Sequence, residues 1–204
     1  MKSRNLLILF VVSFLISCGS GQLDSQFVYN INPNYTWGYS EFYGAYYADS
    51  GIKNNVISLS LFTDSLKTNS IGTLTGLGEY LYLEDLFVNP TDTLLPAGTY
   101  TINDTGLPFT ISPGKNDTVD NVVYQIGARI FYYEANAANT TTKLIKSGTL
   151  TVGNSENVYN LDCNFKTSDN KDLKGTFRGS LPHSNLSLSS QKSPKRLILN
   201  WKRK

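Results

Sequence analysis

The side chains in this sequence that are equipped for acid–base or nucleophilic work are few and scattered. Five acids lie in or beside apolar, strand-like runs: Glu41, Glu84, Asp85, Glu134 and Asp162. Paired carboxylates of this type serve glycosidic bond cleavage. Glu84 and Asp85 are adjacent, however, so strand alternation sends them to opposite sides, and these acids read as solvated strand residues. The sole histidine, His183, falls in a polar stretch after the last strand-like run, which excludes a His-dependent triad inside the domain. Cys163 sits in Tyr159-Asn160-Leu161-Asp162-Cys163-Asn164-Phe165, where alternation groups it with Leu161 and Phe165 as a small apolar filler. With no His or basic neighbour to activate its thiol, it is expected to be inert. Zinc-ligand spacing, a Gly-rich phosphate loop and an EF-hand ligand pattern are all missing, so no cofactor or metal is implied. The expectation is a protein without catalytic activity, with a glycoside-active enzyme the least favoured reading.

Aromatic rings are the denser resource. Tyr35 to Tyr47 holds seven of them in thirteen residues. Tyr35, Trp37, Tyr39 and Tyr43 share one parity; Phe42 and Tyr46 share the other. Rings on both faces of one strand cannot all enter one core. Trp37, Tyr39 and Tyr43 are therefore candidate ligand contacts, a platform for sugar rings or another flat ligand. The competing reading is a strand packed between the core and flanking loops.

The elements that must position these residues are strands. Thirteen tyrosines, ten phenylalanines and Thr/Val-rich runs are punctuated by turn clusters such as Asn89-Pro90-Thr91-Asp92 and Ser112-Pro113-Gly114. Expected strands cover 35–47, 56–63, 80–88, 98–102, 122–134, 143–152, 158–167 and 173–181. No window carries a long amphipathic helical period. About eight to ten antiparallel strands suit a small barrel or a two-sheet sandwich. Gly72-Thr73-Leu74-Thr75 recurs as Gly148-Thr149-Leu150-Thr151, and Gly98-Thr99-Tyr100 as Gly175-Thr176-Phe177, at offsets of 76 and 77. These suggest an internal duplication of four-stranded units, or convergence of short β-motifs.

The ends of the chain differ from its middle. Lys2 and Arg4 precede the apolar run Leu6–Leu15, too short to span a ~30 Å hydrocarbon core, which reads as a signal peptide. Leu15-Ile16-Ser17-Cys18 then resembles the bacterial lipobox. That resemblance implies that residues 1–17 are removed and that Cys18 carries the lipid that holds the protein at a membrane. Residues 18–26 form a tether, 27–181 the all-β domain, and 182–204 a Ser-rich linker and basic tail. Residues 18–191 carry ten basic and sixteen acidic side chains, whereas the last thirteen carry six basic and none acidic. Such a tail suits an anionic surface or a merely solvated end.

Together with Leu95-Pro96-Ala97-Gly98-Thr99-Tyr100, Gly148–Val152 and Leu173–Gly179, the lipobox makes the chain similar to small envelope lipoproteins of the Bacteroidales. The resemblance implies an all-β fold on the outer membrane, on either the periplasmic leaflet or the cell surface, and transfers no functional residue. Asp64-Ser65-Leu66, Asp92-Thr93-Leu94 and Asp117-Thr118-Val119 resemble the periplasmic O-glycosylation signal of that group, making Ser65, Thr93 and Thr118 candidate acceptors; ordinary turn chemistry explains the same pairs. The expected function is binding of a glycan or small lipophile. The alternative is a structural or adhesive lipoprotein acting through a protein partner. Nucleic acid is not an expected partner.

Overall fold

A computed structural model describes residues 30–69, 72–133 and 140–187. Fifteen strands and one short 3-10 turn make up its regular structure: β1 (Asn34–Gly44), the turn Ala48–Ser50, β2 (Asn55–Thr63), β3 (Lys67–Thr68), β4 (Leu74–Thr75), β5 (Gly78–Val88), β6 (Gly98–Ile102), β7 (Thr110–Ile111), β8 (Lys115–Val119), β9 (Val122–Ile126), β10 (Arg129–Tyr133), β11 (Thr141–Ser155), β12 (Val158–Thr167), β13 (Asp172–Leu173), β14 (Thr176–Gly179) and β15 (His183–Asn185). The signal run, Cys18, Glu134 and the basic tail lie outside the described residues.

The fold is all-β, as the composition implies, and its main sheet closes on itself. β5 pairs with β2, β2 with β1, β1 with β14, β14 with β12, β12 with β11, β11 with β10, and β10 returns to β5. Farther along β11 and β5, β6 and β7 bridge the same gap. The result is a flattened, sandwich-like barrel, with the β3–β4 and β8–β9 hairpins standing as separate two-stranded sheets. It is mixed rather than antiparallel: β1 runs parallel to β14 and to β15, and β6 parallel to β7. β15 also corrects the expected linker, because residues 183–185 pair with β1, and Ser40 Oγ lies 3.1 Å from His183 Nδ1.

Apolar side chains fill the interior. Leu59, Leu61, Leu81, Leu83, Ile130, Leu150, Leu161, Phe165 and Phe177 belong to one buried cluster, and Cys163 sits among them. Burial pushes its thiol far above the ordinary range. A ring of about eight strands is just wide enough for side chains to occupy its centre, and the seven strands that close here, with β6 and β7 bridging one gap, are filled in that way.

The expected run 122–134 breaks at Gly127, whose φ of +76° turns the chain. β9 leaves to pair with β8, while β10 enters the barrel. The duplication is not found. Gly72 lies in the turn between β3 and β4, whereas Gly148 lies inside β11; β5 pairs with β2, β7 and β10, while β12 pairs with β11, β13 and β14. The shared letters are turn and strand chemistry without a shared architecture.

Candidate functional site

Strands β1, β2, β5 and β10 lie side by side and turn their second face away from the core. Their register sorts that face into transverse rows, each ~4.8 Å per strand across. The first row is Trp37–Phe62–Tyr80–Phe131. Its rings stack in sequence, with centroids 3.9, 4.4 and 5.2 Å apart and interplanar angles of 10°, 9° and 16°. Each such pair contributes about 0.5–1.5 kcal/mol beyond area burial. The Trp37 indole N–H donates to the Leu66 carbonyl at 2.8 Å, and Leu66 and Leu74 pack on this second apolar cluster.

The second row is Tyr39–Ser60–Tyr82–Arg129. Ser60 Oγ lies 3.1 Å from the Tyr80 hydroxyl, and the Arg129 guanidinium lies 5.2 Å from the Tyr82 ring centroid and 5.8 Å from that of Phe131. These are cation–π distances.

The third row is acidic, and it corrects the sequence reading. Ile57 pairs with Leu86, but Leu59 pairs with Leu83, so Glu84 and Asp85 together oppose Ser58. This bulge cancels one alternation. Leu83 and Leu86 both reach the core, and both carboxylates reach the second face, where each residue is 5% exposed. Glu84 Oε2 accepts from Arg129 Nη2 at 3.2 Å and from the Gly127 N–H at 2.7 Å. Asp85 Oδ2 accepts from the Tyr47 hydroxyl at 2.8 Å. Across β2, Glu41 Oε2 accepts from Ser58 Oγ at 3.1 Å and from the Tyr43 hydroxyl at 3.0 Å. Desolvation, reinforced by these carboxylates, raises the phenols of Tyr43 and Tyr47 well above the ordinary tyrosine value.

A second bulge decides which aromatics join the face. Tyr35 pairs with Thr63 while Trp37 pairs with Phe62, which makes Thr36 the extra residue and sends Tyr35 into the core. The expected contacts Trp37, Tyr39 and Tyr43 stay together, each half-buried. Gly44, the last residue of β1 (φ +64°), and Gly51 (φ +86°) take conformations that side-chain-bearing residues avoid, and the turn between them carries Tyr46 and Tyr47 back toward the acidic row. Ser58, Tyr82 and Arg129 are site residues the sequence reading missed. The signal for Arg129 was available: a lone arginine in Ile126-Gly127-Ala128-Arg129-Ile130-Phe131 needs an acid partner once buried.

The other candidates lie elsewhere. Asp162 is exposed on β12, away from the acidic row. Ser65, Thr93 and Thr118 are exposed, as acceptors for modification must be. His183, its imidazole lowered by burial, meets Ser40 on the other side of β1. Nor do the carboxylates converge on one point: among the described residues, no three His, Cys, Asp or Glu side chains group as metal ligands. Within these rows Phe62, Tyr80, Phe131, Ser60, Tyr82, Arg129, Glu84 and Asp85 are buried, while Trp37, Tyr39, Glu41 and Tyr43 keep partial exposure, so the accessible part of the face is its β1 edge. Comparison with protein-family models, curated proteins and solved structures finds no match.

Proposed function

We propose that this chain is a non-catalytic lipoprotein of the cell envelope, held to a membrane through Cys18, that binds a glycan along the partly exposed aromatic side of β1. One observation carries the reading: Trp37, Tyr39, Tyr43 and the Glu41 carboxylate stand partly exposed along one side of β1. Sugar rings offer both things such a face recognises, C–H faces for aromatic stacking and hydroxyls that donate to carboxylates while accepting from tyrosine and arginine. A small lipophile inside the barrel has less support, because the protein's own side chains occupy that interior. The lipobox and the exposed Asp-Ser/Thr sites support the envelope setting.

The test is a glycan array with the mature chain, followed by calorimetry on the best ligand. Trp37→Ala is expected to weaken binding about tenfold or more, the scale of a truncated aromatic anchor, with the fold retained. Absence of binding across neutral, acidic and amino glycans would remove this reading in favour of the protein-partner alternative.

A further inference from the structure

The β8–β9 hairpin stands apart from the main sheet and leaves one strand edge uncovered. Its neck is held to the barrel: the Gly114 N–H donates to the Ile145 carbonyl at 2.7 Å, the Ala128 N–H to the Ser112 carbonyl at 3.0 Å, and the Gly127 N–H to Glu84 Oε2 at 2.7 Å. At its tip, Asp120 and Asn121 have φ of +51° and +60°. In a two-residue turn of this kind the flanking residues, here Val119 and Val122, exchange both their main-chain hydrogen bonds. Alternation then fixes where the other groups point. Val122, Tyr124 and Ile126 turn their amides and carbonyls toward β8; Val123 and Gln125 turn theirs away from it. Among the described residues no strand runs along that second edge, and Val123 and Gln125 make no main-chain bond across it.

The side chains of this edge point to its occupant. Val123 is 61% exposed, the highest value for a large apolar residue among those described, and Val119 and Val122 beside it are 40% and 47% exposed. Val122–Ile126 holds no charge, no proline and no bulge, the devices that ordinarily keep strand edges apart. The outer edge of β8 differs. It turns the main-chain groups of Asn116 and Thr118 outward, and pairing two copies through them sets Asp117 against Asp117, a like-charge contact. A second β9 meets no such opposition. Run antiparallel about Tyr124, two copies set each Val123 against the other copy's Gln125, every pair exchanging both its main-chain hydrogen bonds. Tyr124 then faces Tyr124, and Val122 faces Ile126, so aromatic and aliphatic side chains meet their like on one side of the sheet. The arrangement is self-complementary about a twofold axis, as an interface between identical chains requires.

We infer that two copies of this chain associate edge to edge through β9, joining their β8–β9 hairpins into one continuous sheet. Such association does not depend on what the β1 side binds. Sedimentation velocity on the mature chain carrying Cys18→Ser, which takes no lipid, is expected to show a monomer–dimer equilibrium in about the micromolar range, the strength of a small interface. Val123→Lys charges the exposed edge, and Gln125→Pro removes an outward amide but no bond to β8; each weakens the dimer at least about tenfold. Thr118→Lys, the matching change on the β8 edge, leaves it intact. Tyr124→Cys reads the register directly and serves should the edge variants fail to fold. Residues opposed across the axis lie within disulfide reach, so oxidation yields a covalent dimer on a non-reducing gel, whereas Asp117→Cys stays monomeric. Cys163, buried in the core, does not compete. A chain still monomeric at about 1 mM, a dimer that survives both Val123→Lys and Gln125→Pro, one lost equally with Thr118→Lys, or cross-linking at 117 rather than 124 overturns the inference.

Discussion

β5 presents two chemistries from one backbone. Leu81, Leu83, Leu86 and Val88 enter the barrel; Tyr80, Tyr82, Glu84 and Asp85 form the outer face. Inside, any set of apolar side chains of suitable volume satisfies the fold, because burial is non-directional. Outside, each group depends on a specific neighbour in the next strand, so the face depends on register as well as composition. The interior is held by volume and burial, the outer face by specific pairings between strands.

The largest effect expected from breaking this division lies at Arg129–Glu84, where the outer face is as buried as the core. Arg129→Met leaves Glu84 buried without its cation and should cost about 3–5 kcal/mol. Adding Glu84→Gln should recover most of that loss in denaturant unfolding. Full additivity of the two substitutions would show that the pair is not coupled. Leu83→Ala comes next. At a fully buried interior site it should cost about 3 kcal/mol, while binding by the remaining folded protein is unchanged; a change in affinity at constant stability would blur the division between the two faces.

Glu79 tests the interior from its weakest point. It is 2% exposed, and burial raises its carboxyl to about 7 despite the hydrogen bond from the Asn30 N–H. The folded state thus holds the proton more tightly than the unfolded chain. Its contribution is intact below the unfolded value near 4.5 and is lost as pH rises toward 7. Glu79→Gln should flatten that part of the stability–pH profile and gain on the order of 2 kcal/mol over the parent at pH 8; parallel profiles would refute it. The smallest effect concerns Cys163. A thiol reagent should label it only as fast as the chain unfolds, and rapid labelling of the native protein would show that the interior is not closed.

The sequence made the strands legible because their alternation is local. Cys163 with Leu161 and Phe165, and Trp37 with Tyr39 and Tyr43, fell on the expected sides for that reason. Features set by a partner strand were not legible. Whether Glu84 and Asp85 diverge or stand together depends on two residues opposing Ser58, which neither strand reveals alone. Tyr35 is displaced from its parity in the same way at Thr36. The repeated Gly-Thr-Leu-Thr misled because a two-residue strand beside a turn and a long barrel strand favour the same residues. Parallel pairing of β1 with β14 left no local trace, since it joins segments about 140 residues apart.

That seam has a kinetic meaning. β1 is the first described strand to emerge during synthesis, and the partners that seal its second edge, β14 and β15, are the last. Its antiparallel neighbour β2 forms early through a short connection, but the remaining edge waits for nearly the whole domain. Such a join has high contact order and carries the loop-closure entropy of the entire ring, so it belongs to a late, slow phase of folding. Until it forms, β1 offers unpaired amides and carbonyls alongside half-covered aromatic rings, a template for pairing between chains. Chains truncated before Thr176 should accordingly aggregate rather than accumulate as soluble fragments, and any factor that holds β1 until β14 arrives should raise the yield of folded protein.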